Sequence, residues 1–129
     1  MKYIEWESTY DVGETRIDIQ HRHLVSLINM LHAGVSAHME DQLVGSILDE
    51  LGMYALVHFS YEEKWMEEVG YPELSEHKLL HINLRQSLDK YREDFNLRQA
   101  HLSGDLYEFL HGWLMDHILE EDKKLSDYV

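Results

Sequence analysis

His58-Phe59-Ser60-Tyr61-Glu62-Glu63, then Gly70-Tyr71-Pro72, then His77-Lys78-Leu79-Leu80-His81: this stretch decides the fold. His58 and Glu62 stand four residues apart, as do His77 and His81. Each pair therefore shares one face of a helix, its members one turn apart. Between the pairs, Gly70 suits the left-handed conformation that ends a helix, and Pro72 prevents its continuation. The stretch reads as the end of one helix, a tight reversal, and the start of an antiparallel neighbour.

Working outward at about 100° per residue, the helix before the reversal is predicted from Asp41 to Val69. Its inner stripe holds Val44, Ile47, Leu51, Tyr54, His58, Glu62 and Trp65. The helix after it runs from Glu73 to Asp94, with His77, Leu80, His81, Leu84, Leu88 and Tyr91 inward. Upstream, Ile17 to Ala37 carries Ile17, His21, Leu24, Ile28, Leu31 and Val35 on one face. Downstream, a polar connection leads to Ser103 as N-cap and Asp105 in the first turn of a fourth helix. That helix carries Leu106, Leu110, Trp113, Leu114 and His117. Residues 1 to 17 lack helical period but hold Tyr3, Ile4, Trp6 and Tyr10, and read as an extended arm packed on the domain. Short connections favour antiparallel neighbours. The expected fold is all-α: an antiparallel up-down-up-down four-helix bundle with an N-terminal extended arm, one domain over residues 1–129.

Composition narrows the chemistry. The absence of cysteine removes disulfides, thiolate metal sites and cysteine nucleophiles. Any metal must be held by nitrogen and oxygen, which suits iron, manganese or zinc. A formal charge of −14 argues against nucleic acid as a partner. Acids interrupt the opening Met1-Lys2-Tyr3-Ile4-Glu5-Trp6-Glu7, so it is not read as a signal peptide. No apolar run is long enough for membrane insertion. A cytoplasmic protein is expected.

Helix depth sharpens the reading of the histidines. His21 lies near the start of its helix, as do His77 and His81, whereas His58/Glu62 and His117/Asp122 lie towards helix ends. In an up-down-up-down bundle those regions meet at one end. Buried without a cation, such a set would strand carboxylates and imidazoles in a dry core, at several kcal/mol. Other histidines do not fit the cluster. His32 shares the face of His21 but lies about 16 Å along the axis, and His23 points outward. His38 and His101 fall near helix ends or loops, and the Glu108-x-x-His111 motif is half a turn from His117. One position stays open at this level. Glu121, four residues after His117, matches the helical period better than Asp122, which would need a local change of path.

Ile17-Asp18-Ile19-Gln20-His21, His58-x3-Glu62, Gly70-Tyr71-Pro72, His77-x3-His81 and Trp113-x3-His117-Ile118-x3-Asp122 together resemble the hemerythrin family, most closely its single-domain bacterial members. The resemblance covers essentially the whole chain. It implies two non-haem iron ions joined by an oxo or hydroxo bridge. His77, His81 and His117 would bind one ion, His21 and His58 the other, and Glu62 and Asp122 would bridge both. If both ions are six-coordinate, these ligands and one bridging oxygen leave a single position open, on the His21/His58 side. The family's small-molecule ligand there is dioxygen, bound reversibly. Leu24, Phe59, Trp113, Leu114 and Ile118 flank the ligands and are expected to form a dry pocket that slows loss of the bound gas.

The expected function is oxygen carriage, storage or delivery to an oxygen-consuming enzyme, and not catalysis. The alternative is a di-iron enzyme acting on peroxide or nitric oxide. The high histidine count speaks against it, because oxygen-activating di-iron sites are generally richer in carboxylates. Oxygen sensing is a further variant. Little chain follows Asp122, so a sensor would be expected to work through a separate partner.

Overall fold

The computed structural model describes residues 4–36, 41–96 and 104–129. Within them run α1 (Thr15–Ser36), α2 (Asp41–Val69), α3 (Leu74–Asn96) and α4 (Gly104–Asp116). A π-helical turn, His117–Glu121, and a 3-10 segment, Asp122–Tyr128, continue α4.

The chain forms a four-helix bundle. Helix α1 packs on α2 and α4, and α2 packs on α3. At one end His81 of α3 meets His117 after α4. At the other, Tyr91 of α3 meets Phe109 of α4 with ring centres 5.0 Å apart. Neighbouring helices are thus antiparallel, as the short connections predict.

Local chemistry accounts for the boundaries. Gly70 takes φ 71°, and its N–H bonds Glu67 O at 3.2 Å. The Tyr71 N–H reaches Met66 O at 2.9 Å, and the two side chains share an apolar cluster, completing a Schellman stop. Helix α1 starts at Thr15, two residues before the expected Ile17, because Glu14 Oε2 accepts the Ile17 N–H at 2.7 Å. Buried Asp18 also accepts the N–H groups of Val12 and Gly13 at 2.8 and 3.1 Å. That contact ties the arm to the helix.

The arm is extended apart from a 3-10 turn at Ser8–Tyr10. Ile4 is buried and exchanges two backbone hydrogen bonds with the Asn29 side chain, both at 2.9 Å.

Two apolar clusters lie along the bundle axis. The larger includes Leu24, Leu27, Ile28, Leu31, Leu48, Leu51, Leu88 and Leu110. The smaller, towards the Gly70 turn, comprises Val12, Ile17, Met66, Tyr71 and Leu125. Val25 and Leu27 extend the buried face of α1 beyond the expected stripe, because that helix also packs on α4 and the arm. On α2 the buried residue one turn past Glu62 is Met66, and the expected Trp65 is only half-buried. The side chains of Val35, Val44, Leu106 and Leu114 lie outside the described residues. Among the described residues, no helix is long and apolar enough to cross a membrane.

Candidate metal centre

Between the two apolar clusters, one turn from each, seven polar side chains converge. His21 follows Ile17 on α1, His58 and Glu62 follow Ala55 on α2, and His77 and His81 open α3. His117 and Asp122 complete the set, and all seven are at most 5% exposed.

The helix after α4 resolves the open position. From His117 to Glu121 the backbone adopts π geometry, and the Asp122 N–H bonds the carbonyls of His117 and Ile118. Hydrogen bonds from i to i+5 widen the turn by one residue. The fifth residue after His117 then faces inward, not the fourth. Asp122 is fully buried, while Glu121 is half-exposed and pairs with Lys124.

The two oxygens of each carboxylate face different histidines. Glu62 Oε1 lies 2.8 Å from His77 Nε2 and 3.2 Å from His81 Nε2. Asp122 Oδ1 lies 3.0 Å from His77 Nε2 and 3.1 Å from His117 Nε2. On the other side, Glu62 Oε2 is 3.3 Å from His21 Nε2 and 3.2 Å from His58 Nε2. Asp122 Oδ2 is 2.9 Å from His21 Nε2. The donor atoms thus form two overlapping groups, with Glu62 and Asp122 in both, each group within 4.8 Å.

Several of these close pairs are not hydrogen bonds. His21 Nε2, His58 Nε2, Glu62 Oε2 and both Asp122 oxygens are buried without a hydrogen-bonding partner. They are near one another but misaligned for donation, because they face shared central points. Buried polar atoms left in this state are costly, and cations at those points satisfy them. The nitrogen and carboxylate donors suit a non-haem metal such as iron.

Electrostatics agree. In the metal-free chain, burial alone would lower the pKa of His21, but Asp122 and Glu62 override it and raise it to about 9. The same competition raises His77 to about 10. Burial opposes ionisation of both carboxylates, yet the surrounding histidines hold Glu62 and Asp122 well below the usual range. At His58 burial prevails and the pKa is lowered. Positive charge is favoured at the centre, and protons supply it when no cation does.

Outer partners orient the rings. His58 Nδ1–H donates to Gln20 Oε1 at 2.7 Å, and His81 Nδ1–H to Glu63 Oε2 at 2.8 Å. Each bond leaves the Nε2 lone pair facing inward. Sequence reading gave Gln20 and Glu63 no role. Both adjoin ligand candidates in the chain, but each serves a histidine on a different helix.

The expected pocket residues divide. Leu24 and Ile118 are buried in the larger cluster. Phe59 stacks on His81, with ring centres 4.0 Å apart and planes 12° apart, and lies 5.9 Å from His58. Trp113 stacks on His117 at 6.3 Å and meets the Phe59 ring edge-on. Both aromatics therefore adjoin the three-histidine group more closely than the two-histidine group.

The other histidines stand apart from the centre. His23 is half-buried beside Tyr54, His32 is half-buried up the helix, and Glu108 is exposed. His38 and His101 lie outside the described residues.

A helical bundle with carboxylates shared between two histidine groups defines a class of metal-binding proteins. The chain belongs within it to the hemerythrin family: residues 12–129 match the family described as the hemerythrin HHE cation binding domain. It is 33% identical to a bacteriohemerythrin of Stenotrophomonas maltophilia over 129 residues, covering all of this chain and 83% of that protein. A bacteriohemerythrin of Clostridium acetobutylicum is 32% identical, with 95% of this chain and 98% of that one covered. The crystal structure of wild-type hemerythrin superposes with a TM-score of 0.91 at 27% identity, covering 98% of this chain and 97% of that one.

Proposed function

We propose that this chain, as one domain, binds dioxygen reversibly at a di-iron centre and carries, stores or delivers it. His77, His81 and His117 would hold one iron and His21 and His58 the other, with Glu62 and Asp122 shared between the two. When bound, the ferrous pair supplies an open coordination position and the electrons for reversible capture of the gas. The observation that carries this reading is the division of each carboxylate, one oxygen toward each histidine group.

The chain's own residues do the rest. Gln20 and Glu63 fix the tautomers of His58 and His81. Leu24, Phe59 and Ile118, with the half-buried Trp113, surround the ligands with apolar surface. Such surroundings restrict water and protons, which favours release of the gas intact over its reduction. Delivery, as distinct from carriage or storage, would be to an oxygen-consuming enzyme, and the compartment proposed is the cytoplasm.

One spectrum tests the proposal. An anaerobically reduced, iron-loaded sample is expected to be nearly colourless, to gain a visible band in air, and to lose it under vacuum. Irreversible oxidation within one cycle would instead favour an enzyme acting on peroxide or nitric oxide.

A further inference from the structure

Two imidazole nitrogens turned away from the centre, one on each side, meet unlike partners, while His21 Nδ1 is buried without a hydrogen-bonding partner. On the three-histidine side, His81 Nδ1–H donates to the carboxylate of Glu63 at 2.8 Å. On the two-histidine side, His58 Nδ1–H donates to the neutral amide oxygen of Gln20 at 2.7 Å. Either partner orients its ring equally well. They differ in charge. A carboxylate on Nδ1 draws the ring proton towards itself and raises the donor strength of Nε2, whereas an amide does so weakly.

We propose that Glu63 is a tuning residue: it makes the three-histidine position the tighter and more readily oxidised of two metal positions, while Gln20 leaves His58 a weaker donor. This rests on the reading of the centre as a pair of metal ions. Each iron passes between ferrous and ferric by loss of one electron. The negative charge of Glu63, relayed through His81, offsets the positive charge so gained on its own side only. Glu63 is 26% exposed, so solvent screens part of this influence. Gln20 is buried, so a charge placed there would act with less screening. An ion on the side with the weaker imidazole donor would then be the less readily oxidised of the two.

The test compares Glu63→Gln and Gln20→Glu with the parent protein. Glutamine at 63 still offers an oxygen to His81, so ring orientation survives and only the charge is lost. Cobalt(II) binding to the metal-free chain is followed by visible absorption. The midpoint potentials of the iron-loaded chain are followed with mediator dyes, which take up or supply the exchanged electron. Glu63→Gln is expected to weaken the tighter cobalt site about tenfold. It should raise the lower of the two potentials by the equivalent tenfold factor, about 59 mV for one electron. Gln20→Glu is expected to strengthen the weaker site and narrow the gap between the potentials. Unchanged cobalt isotherms and potentials in Glu63→Gln overturn the proposal. Should that variant not fold, an unchanged gap in Gln20→Glu overturns it equally. Fewer than two cobalt ions per parent chain would refute the paired-metal reading itself; two ions with unmoved potentials would refute only the tuning.

Discussion

Helix α2 and the end of α4 each deliver a histidine and a carboxylate to the same centre, by different means. In α2, His58 and Glu62 are four residues apart in a regular helix, and the helical period alone puts both inward. After α4, His117 and Asp122 are five apart, and a π turn is needed to align them. The difference teaches that ligand spacing can be read directly only where the backbone stays regular. Where it does not, the periodic rule selects the wrong neighbour, here Glu121.

Breaking the delivery at Asp122 should have the largest effect. Asp122→Ala is expected to abolish tight binding of two metal ions, and Glu62→Ala should do the same from α2. Glu121→Ala should retain both ions, as measured by metal analysis after gel filtration. Full loading of Asp122→Ala would show that the π turn does not serve the metals.

Metal removal comes next, because it withdraws the cation from α2 and the segment after α4 together. Seven buried polar side chains would lose the partner that offsets their burial. A ligand present at a hundred times its dissociation constant stabilises the fold by about 2.7 kcal/mol. The melting temperature should therefore fall by roughly 10 °C or more for a chain of this size. Equal melting curves with and without metal would contradict this.

Leu24→Ala touches neither α2 nor the segment after α4 in sequence but opens the apolar wall one turn beyond His21. Truncating a fully buried leucine costs about 2–5 kcal/mol. In the iron-loaded protein the oxygenated form should also decay several-fold faster. An unchanged lifetime alongside the lost stability would leave Leu24 a packing residue only.

The smallest effect is a pH dependence. In the metal-free chain His21 and His77 titrate at about 9 and about 10, above the ordinary histidine value of 6.5. Their protonated pairing with Asp122 and Glu62 contributes stability that is complete below about pH 6.5 and fades as pH rises through 9 and 10. Metal must displace those protons. Its apparent affinity should therefore climb with pH up to about 9–10, with proton release measurable by calorimetry in buffers of different ionisation enthalpy. A pH-independent affinity between 7 and 9 would contradict the paired histidines.

Much of this was legible in the chain. His58/Glu62 and His77/His81 lie on regular helices, so their common faces follow from period, and Gly70-Tyr71-Pro72 marks the reversal between them. The division of the pocket was not legible. Phe59 adjoins His58 in sequence, but its ring stacks on His81 of the next helix. Gln20 and Glu63 likewise sit beside ligand candidates in sequence and serve rings on other helices.

From its sequence alone the protein is a helical bundle with one histidine-rich end, because apolar period and turn residues act locally and are written locally. Asp122 entered through the family resemblance against the helical period; only the tertiary structure showed the π turn that faces it inward, and that one side of the centre has an anionic outer partner and the other a neutral one. Those outcomes depend on a widened turn and on contacts between helices, where distances in space are not spacings along the chain.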